Sequence, residues 1–250
     1  MSFSSEVKEE LSEQIASGRH CRLAETAAIL SLCGKIVITE NDRYCVKIQT
    51  ENLAVARKYF TLLRKTFNIR AEVSVRKSRE VRFYSVIVSK DPEARRLLGE
   101  TCLLDEDGNV SECMSPMHHR LLRQNCCRRA FIRGAFLAVG SVSDPKKSYH
   151  FEIVCTAPEK ARQLQELLAS YDVDAKVVLR KRHYVVYIKE GSQIVELLGL
   201  MGAHISLMQL ENVRIVKEMR NSVNRKVNCE TANLNKTVSA AVRQAEDIRY

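Results

Sequence analysis

Apolar residues along this chain fall into two spacings, and the order of the two spacings is itself repeated. Residues 4–15 put Val7, Leu11 and Ile15 on one stripe, which predicts a short amphipathic helix. After a polar break at Ser17-Gly18, residues 21–33 read as a helix rich in small side chains (Ala24, Ala27, Ala28, Ser31), closed by Gly34. Residues 35–40 and 43–49 follow as a hairpin around Asn41-Asp42. Thr50 is placed to cap the next helix, whose positions Leu53, Ala56, Phe60 and Leu63 keep the helical period. A second hairpin spans 72–76 and 82–89, with Val73 and Val75 alternating against Glu72, Ser74 and Arg76. Asp91-Pro92 opens a closing helix through Leu98. Residues 99–116, with their Asp/Asn-rich stretch and Ser115-Pro116, show no period and read as a linker.

The second half returns to that order. A helix over 119–139 ends at Gly140, and a loop with Asp144-Pro145 leads to a strand at 149–155. Thr156, Pro158 and Glu159 have the spacing of a capping box with proline in the first turn, predicting a helix to Ser170. Residues 173–180 and 183–189 form the second hairpin, and 192–200 the last helix of the repeat. From His204 to about residue 221 a further helix has no counterpart in the first half, and 220–250 reads as helical and polar.

The repetition extends to residue identity. VKIQTENLAVARKYFTLLRKTFNIRAEVSVRK (46–77) comes back as FEIVCTAPEKARQLQELLASYDVDAKVVLRK (151–181). Ile48 matches Ile153, Ala56 matches Ala161, Leu62-Leu63 match Leu167-Leu168, and Arg76-Lys77 match Arg180-Lys181. The predicted fold class is α+β, with two tandem αββαββα units related by a pseudo-two-fold. The expected divisions are 1–115 for the first unit, 116–203 for the second and 204–250 for a helical extension. A pseudo-two-fold surface suits another two-fold object, and duplex DNA is the commonest.

Composition narrows the field. With 250 residues and 45% hydrophobic content the chain is expected to fold. No apolar run is long enough to span a bilayer and the start is polar, so a cytoplasmic protein without a membrane partner is expected. The nine cysteines are odd in number and contain no C-x-x-C pair. Adjacent Cys126-Cys127 suits neither a mutual disulfide nor a zinc knuckle, and His118-His119 lacks partners at ligand spacing. Free thiols, no metal and no cofactor are the expectation. A net charge of +10 favours an acidic partner.

The paired small-residue helices are the most diagnostic feature. They read TAAILSLCG (26–34) and IRGAFLAVG (132–140). Small residues at Ala28, Gly134, Ala135 and Ala138 allow two helices to approach at their backbones, and each helix ends at a glycine, Gly34 or Gly140. This arrangement resembles the LAGLIDADG homing-endonuclease fold. The resemblance implies a helix seam between two curved sheets that saddle DNA, with an acid at the eighth motif position of each helix holding divalent metal. Here Cys33 and Val139 stand at those positions, and Ser31 and Leu137 at the sixth. A thiol and an isopropyl group cannot hold hard cations, so cleavage chemistry is expected to be absent and the chain not to be an enzyme.

A closer resemblance covers the whole chain. MSFSSEVKEEL at the start, CCRRAFIRGAFLAVGSVSDPKKSYHFEI from Cys126 and VRIVKEMRNSVNRKVNCETANLNKT from Val213 look like the WhiA family of Gram-positive regulators. That resemblance implies a degenerate LAGLIDADG-like domain joined to a carboxy-terminal helix-turn-helix, acting in transcription, sporulation, cell division and chromosome segregation. Residues 204–250 are then a linker and the start of the helix-turn-helix, with the chain ending before the expected recognition helix. Location at the nucleoid and double-stranded DNA as partner follow from the same resemblance.

Three basic clusters are candidate phosphate contacts. Arg120, Arg123, Arg128, Arg129 and Arg133 run along the helix into the seam and read as solvent-facing or intramolecularly paired. Arg180, Lys181 and Arg182 occupy a hairpin tip, echoed by Arg76, Lys77 and Arg79, where symmetric basic loops would track a duplex backbone. Arg214, Lys217, Arg220, Arg225 and Lys226, with Asn221, Asn224, Asn228, Asn233 and Asn235 close by, either contact DNA or lock a domain junction. Three functions compete: a non-catalytic DNA-binding regulator, a protein-interaction scaffold serving division or sporulation partners, and an active endonuclease, which Cys33 and Val139 disfavour.

Overall fold

The structure, a computed structural model, describes residues 2–38, 43–78, 81–104, 110 and 120–249. The Asn41-Asp42 turn, Arg79, the centre of the linker with Ser115-Pro116, and His118-His119 lie outside the described residues. Two compact units divide the chain, residues 1–207 and 208–250.

The first repeat consists of α1 (Phe3–Glu13), α2 (Arg19–Cys33), β1 (Gly34–Ile38), β2 (Tyr44–Thr50), α3 (Leu53–Phe67), β3 (Glu72–Ser78), β4 (Val81–Val88) and α4 (Asp91–Glu100). The second contains a single 3₁₀ turn (Arg120–Leu122), α5 (Asn125–Val139), β5 (Gly140–Val142), β6 (Phe151–Cys155), α6 (Pro158–Ala169), β7 (Lys176–Arg180), β8 (His183–Ile188) and α7 (Gly191–Met201). Each repeat builds a four-stranded antiparallel sheet with the same topology, β1-β2-β4-β3 and β5-β6-β8-β7. The registers coincide as well: Gly34 pairs with Ile48, and Gly140 with Ile153. This is an α+β, LAGLIDADG-like fold.

Alternation along the inner strands places one face of each sheet in the core. Tyr44, Val46 and Ile48 are buried while Cys45, Lys47 and Gln49 point to the opposite, open face. Phe151, Ile153 and Cys155 do the same in the second sheet, where Phe136 of α5 stacks on Phe151 at 5.2 Å. The outer strands differ. Every residue of β3 and β7 is exposed, with Val75 and Leu179 each at 59%. The apolar/polar alternation of 72–76 therefore marks strand geometry without marking a buried face.

Local chemistry corrects several boundaries. Asn52, not Thr50, caps α3: its Oδ1 accepts from Ala54 N at 2.8 Å and Val55 N at 3.3 Å. Thr50 Oγ1 instead accepts from Asn52 N at 3.1 Å, bracing that cap. The capping box at Thr156 does not form, since α6 starts at Pro158 with Ala157 as an uncapped N-cap. Proline fits the first helical position, which shifts the start one residue past the box register. The helix expected over 119–139 is interrupted, and α5 begins at Asn125 after the 3₁₀ turn. Gly140–Val142 forms strand β5, where the chain turns from α5 into a strand ahead of the Asp144-Pro145 loop.

The helix α8 (His204–Ile248) begins in the first unit and makes up the second, without the expected change near residue 221. No described helix is long and apolar enough to cross a membrane.

Candidate functional site

The seam between the repeats is the helix pair α2 and α5. Ala24, Ala27 and Ala28 on one and Ala130 and Ala135 on the other are buried. Gly134 is the tightest point: a Cβ added there would lie 2.5 Å from the Glu25 carbonyl oxygen and 3.0 Å from Ala28 Cβ. Ala138 is only half-buried. Gly34 and Gly140 have extended backbones, with φ of −71° and −83°, so neither is a left-handed helix cap. A Cβ at Gly34 would sit 2.3 Å from Leu30 O, and one at Gly140 2.4 Å from the Phe136 ring. These glycines permit close return of the strand onto its own helix.

The middle of the seam carries a buried ionic network that sequence reasoning missed. Glu25 of α2 is fully buried. Arg133 of α5 grips it with two donors, Nε to Oε1 at 2.9 Å and Nη2 to Oε2 at 3.0 Å. Lys58 of α3, equally buried, lies 3.0 Å from the same Oε1 and donates to Leu11 O at 3.0 Å and to Gln14 O. Burial pulls the Lys58 ammonium below its ordinary pKa, and Glu25 opposes that pull. Arg133 Nη1 also donates to Met201 O at 3.3 Å. One carboxylate thus joins both repeats and the amino-terminal helix. The sequence signal, a glutamate and an arginine on two small-residue helices, is readable only once the pairing is known.

At the carboxy-terminal end of the seam stand Cys33 and Val139. The Cys33 thiol donates to Ile29 O at 3.2 Å, and burial pushes its pKa up to about 12. Lys8 of α1 approaches this corner, its Nζ 5.7 Å from the centre of the Phe136 ring. Burial lowers the Lys8 pKa to about 8, with Cys33 opposing. Ser31 and Leu137 hold the sixth positions, and Ser31 O accepts from Lys160 Nζ at 2.7 Å. Glu25 is the sole carboxylate on α2 and α5, and it is engaged by Arg133 and Lys58. A corner with a neutral thiol, an isopropyl group and an ammonium has no oxygen set for a hard divalent cation.

The basic clusters resolve differently. Arg129 Nε and Nη2 donate to Leu200 O and Gly199 O at 2.9 and 3.2 Å, and Arg128 Nε to Leu122 O at 2.9 Å. With Arg133, these side chains cap carbonyls inside the first unit, which is the intramolecular reading. Arg123 is exposed, and the Arg120 side chain lies outside the described residues.

Arg180, Lys181 and Arg182 are exposed around the two-residue turn between β7 and β8. Lys181 takes the left-handed conformation, φ 57°, that such a turn demands. Arg180 Nη1 lies 3.5 Å from Glu152 on the open sheet face. The first-repeat echo is offset. Val73 pairs with Val86 as Val177 pairs with Val186, yet the first hairpin continues to Lys77–Arg82 and Ser78–Val81. Arg76 and Lys77 therefore lie within β3, two pairs and one pair short of its turn. On α8, Arg225 Nε donates to Asn221 O at 3.3 Å. Successive helical positions advance by about 100°, so Arg220, Arg225 and Lys226 face three directions and form no single stripe.

Comparison with known proteins decides the lineage. The WhiA N-terminal LAGLIDADG-like domain matches residues 19–104, the WhiA LAGLIDADG-like domain 128–220 and the WhiA C-terminal HTH domain 223–250. The "Probable cell division protein WhiA" of Lachnoclostridium phytofermentans is 53% identical over 255 residues, covering 100% of this chain and 80% of the relative. The chain belongs to the WhiA family. A WhiA relative from Clostridium botulinum is 44% identical over the whole chain, covering 80% of that protein. Among solved structures, full-length DUF199/WhiA from Thermatoga maritima superposes with a TM-score of 0.74 at 21% identity, covering 98% of this chain and 77% of that one. The homing endonuclease I-DmoI, solved in complex with DNA and Mn, gives a TM-score of 0.52 at 16% identity, covering 74% of this chain and 98% of that one. The WhiA fold and the homing-endonuclease fold thus share one architecture, and the WhiA chain described here lacks acids at the corner where the resemblance places them.

Proposed function

We propose that this chain is a non-catalytic, DNA-binding transcriptional regulator acting in cell division, sporulation and chromosome segregation, cytoplasmic and associated with the nucleoid. The observation that carries the non-catalytic part is the carboxy-terminal seam corner, where Cys33, Val139 and Lys8 replace any oxygen ligand set. The match to a WhiA C-terminal HTH domain over 223–250 supports DNA binding by that part of the protein. In the first unit, Arg180, Lys181 and Arg182, with Arg76, Lys77 and Arg79 of the other repeat, contact duplex phosphates without reading bases. Arg220, Arg225 and Lys226 supply separate phosphate contacts from α8.

Electrophoretic titration against random duplex at two salt concentrations tests this reading. Binding is expected to be weak, sequence-blind and steeply salt-dependent. Neutralising Arg180, Lys181 and Arg182 together, with Lys181→Asn to keep the turn, lowers affinity and flattens the logarithmic salt slope by up to about 3. Loss of the first-repeat set acts in the same direction. If both combined variants bind as the parent does, the sheets are not the DNA surface. A protein-interaction scaffold then takes first place, a reading favoured by Val75 and Leu179, exposed on the edge strands β3 and β7.

A further inference from the structure

The amino-terminal end of the seam carries chemistry that the regulator reading leaves unused. His20 and Cys21 occupy the first turn of α2, and Cys126 and Cys127 the first turn of α5. Within its own segment, Cys126-Cys127 has no metal partners, which is why the sequence argues against a site. The fold supplies the other pair from the other repeat. The ligand atoms of all four residues lie within 4.8 Å of one another, the single such group of three or more His, Cys, Asp or Glu among the described residues.

The geometry suits one ion. His20 Nδ1 lies 3.1 Å from Cys127 Sγ, 3.3 Å from Cys21 Sγ and 3.9 Å from Cys126 Sγ. Tetrahedral zinc, with bonds of about 2.0 Å to nitrogen and about 2.3 Å to sulfur, sets N···S separations of about 3.5 Å. The three distances bracket that value. Mutual separations this short fit a mononuclear centre, and three sulfurs with one imidazole are soft to borderline donors that select zinc over magnesium or calcium.

The surroundings fit as well. Cys21 and Cys127 are buried, whereas His20 and Cys126 are exposed, so an inner pair is closed and an outer pair gives access. A cleft of roughly 600 Å³, lined by Leu23, Glu100, Cys102 and Leu121, opens onto His20 and Cys127. Gly18 leaves room for the imidazole: a Cβ there would lie 2.8 Å from His20 Nε2, on the side away from the sulfurs' nitrogen. Both ligand pairs sit at helix amino termini, where the backbone dipole favours thiolate.

We propose that His20 Nδ1 and the thiolates of Cys21, Cys126 and Cys127 form a structural zinc site that staples the two repeats at the amino-terminal end of the seam. Binding releases three thiol protons, leaving a Zn(Cys)₃(His) centre of net charge −1. The site has no open position for substrate, as expected of a closed, structural centre.

The full chain, purified under a phosphine reductant and without a metal-affinity tag, tests the proposal. Metal content by mass spectrometry is expected to show one zinc per chain. Cobalt added to the zinc-stripped protein is expected to give one equivalent of tetrahedral ligand-field absorption with thiolate charge transfer, bleached by zinc. Cys126→Ser, an exposed position with circular dichroism to verify folding, loses that uptake; His20→Asn weakens it; Cys229→Ser on α8 retains it. A folded, fully reduced chain that takes up neither metal at stoichiometric concentration overturns the proposal. Uptake that survives Cys126→Ser with unchanged cobalt absorption overturns it equally.

Discussion

The two ends of the seam are built from the same helix pair and have opposite chemistry. At the carboxy-terminal end, where the homing-endonuclease resemblance expects acids, the chain offers a neutral thiol at Cys33, an isopropyl group at Val139 and the ammonium of Lys8. At the amino-terminal end it gathers three sulfurs and an imidazole within 4.8 Å. Identical backbone architecture therefore does not fix which end meets a cation; the donors on the first and last helical turns do. Between them, Glu25, Arg133 and Lys58 tie α2, α5 and α3 into one joint.

That joint gives the largest expected effect. Glu25→Ala leaves two buried cations without their carboxylate, which costs about 3–5 kcal/mol. Denaturant unfolding measures it, and a loss below about 1 kcal/mol would mean the network does not hold the ends in register. Gly134→Ala is next. Its added methyl meets backbone at Glu25 and cannot be absorbed by a flexible tip, so a cost of about 1–3 kcal/mol is expected. Ala138, half-buried, is a weaker probe of the same packing.

Lys8→Met sharpens the contrast between the ends. The Lys8 pKa is about 8 in the fold against an ordinary 10.5, so the unfolded chain holds the extra proton between those values. The native lysine thus costs stability in full below pH 8, and the cost fades as pH rises toward 10.5. After allowance for its partial exposure and the lost Phe136 contact, Lys8→Met gains about 1 kcal/mol near pH 7. That gain shrinks through the same alkaline window; a pH-independent difference in melting temperature would contradict the burial account. Smallest is the combined neutralisation of Arg180, Lys181 and Arg182. These exposed charges contribute little to folding, and a stability change within about 0.5 kcal/mol is expected even where DNA binding falls.

Much of this fold is legible in the sequence because its signals are local or repeated. Helix periodicity at Leu53, Ala56, Phe60 and Leu63, alternation at 44–50 and the duplicated Ile48/Ile153 register all report on nearest neighbours along the chain. Fine boundaries escaped where two local rules competed, as when Pro158 took the first helical position and displaced the Thr156 box. The candidate sites were less legible because their parts are distant in sequence. Glu25 meets Arg133, and His20-Cys21 meets Cys126-Cys127, only through the pseudo-two-fold. The exposure of β3 likewise depends on what packs against it in the fold, which alternation alone does not carry.

The proposed regulator holds duplex DNA through a fold whose cleavage corner has no oxygen ligands for a divalent cation. Supercoiled plasmid incubated with the folded chain in magnesium and in manganese, at low salt and at protein concentrations that shift the plasmid on a gel, tests both halves together. The account predicts retarded plasmid that returns fully supercoiled once the protein is digested away. Metal-dependent nicking that co-purifies with the folded chain, and that is lost when the seam is disrupted by Gly134→Ala, would contradict it.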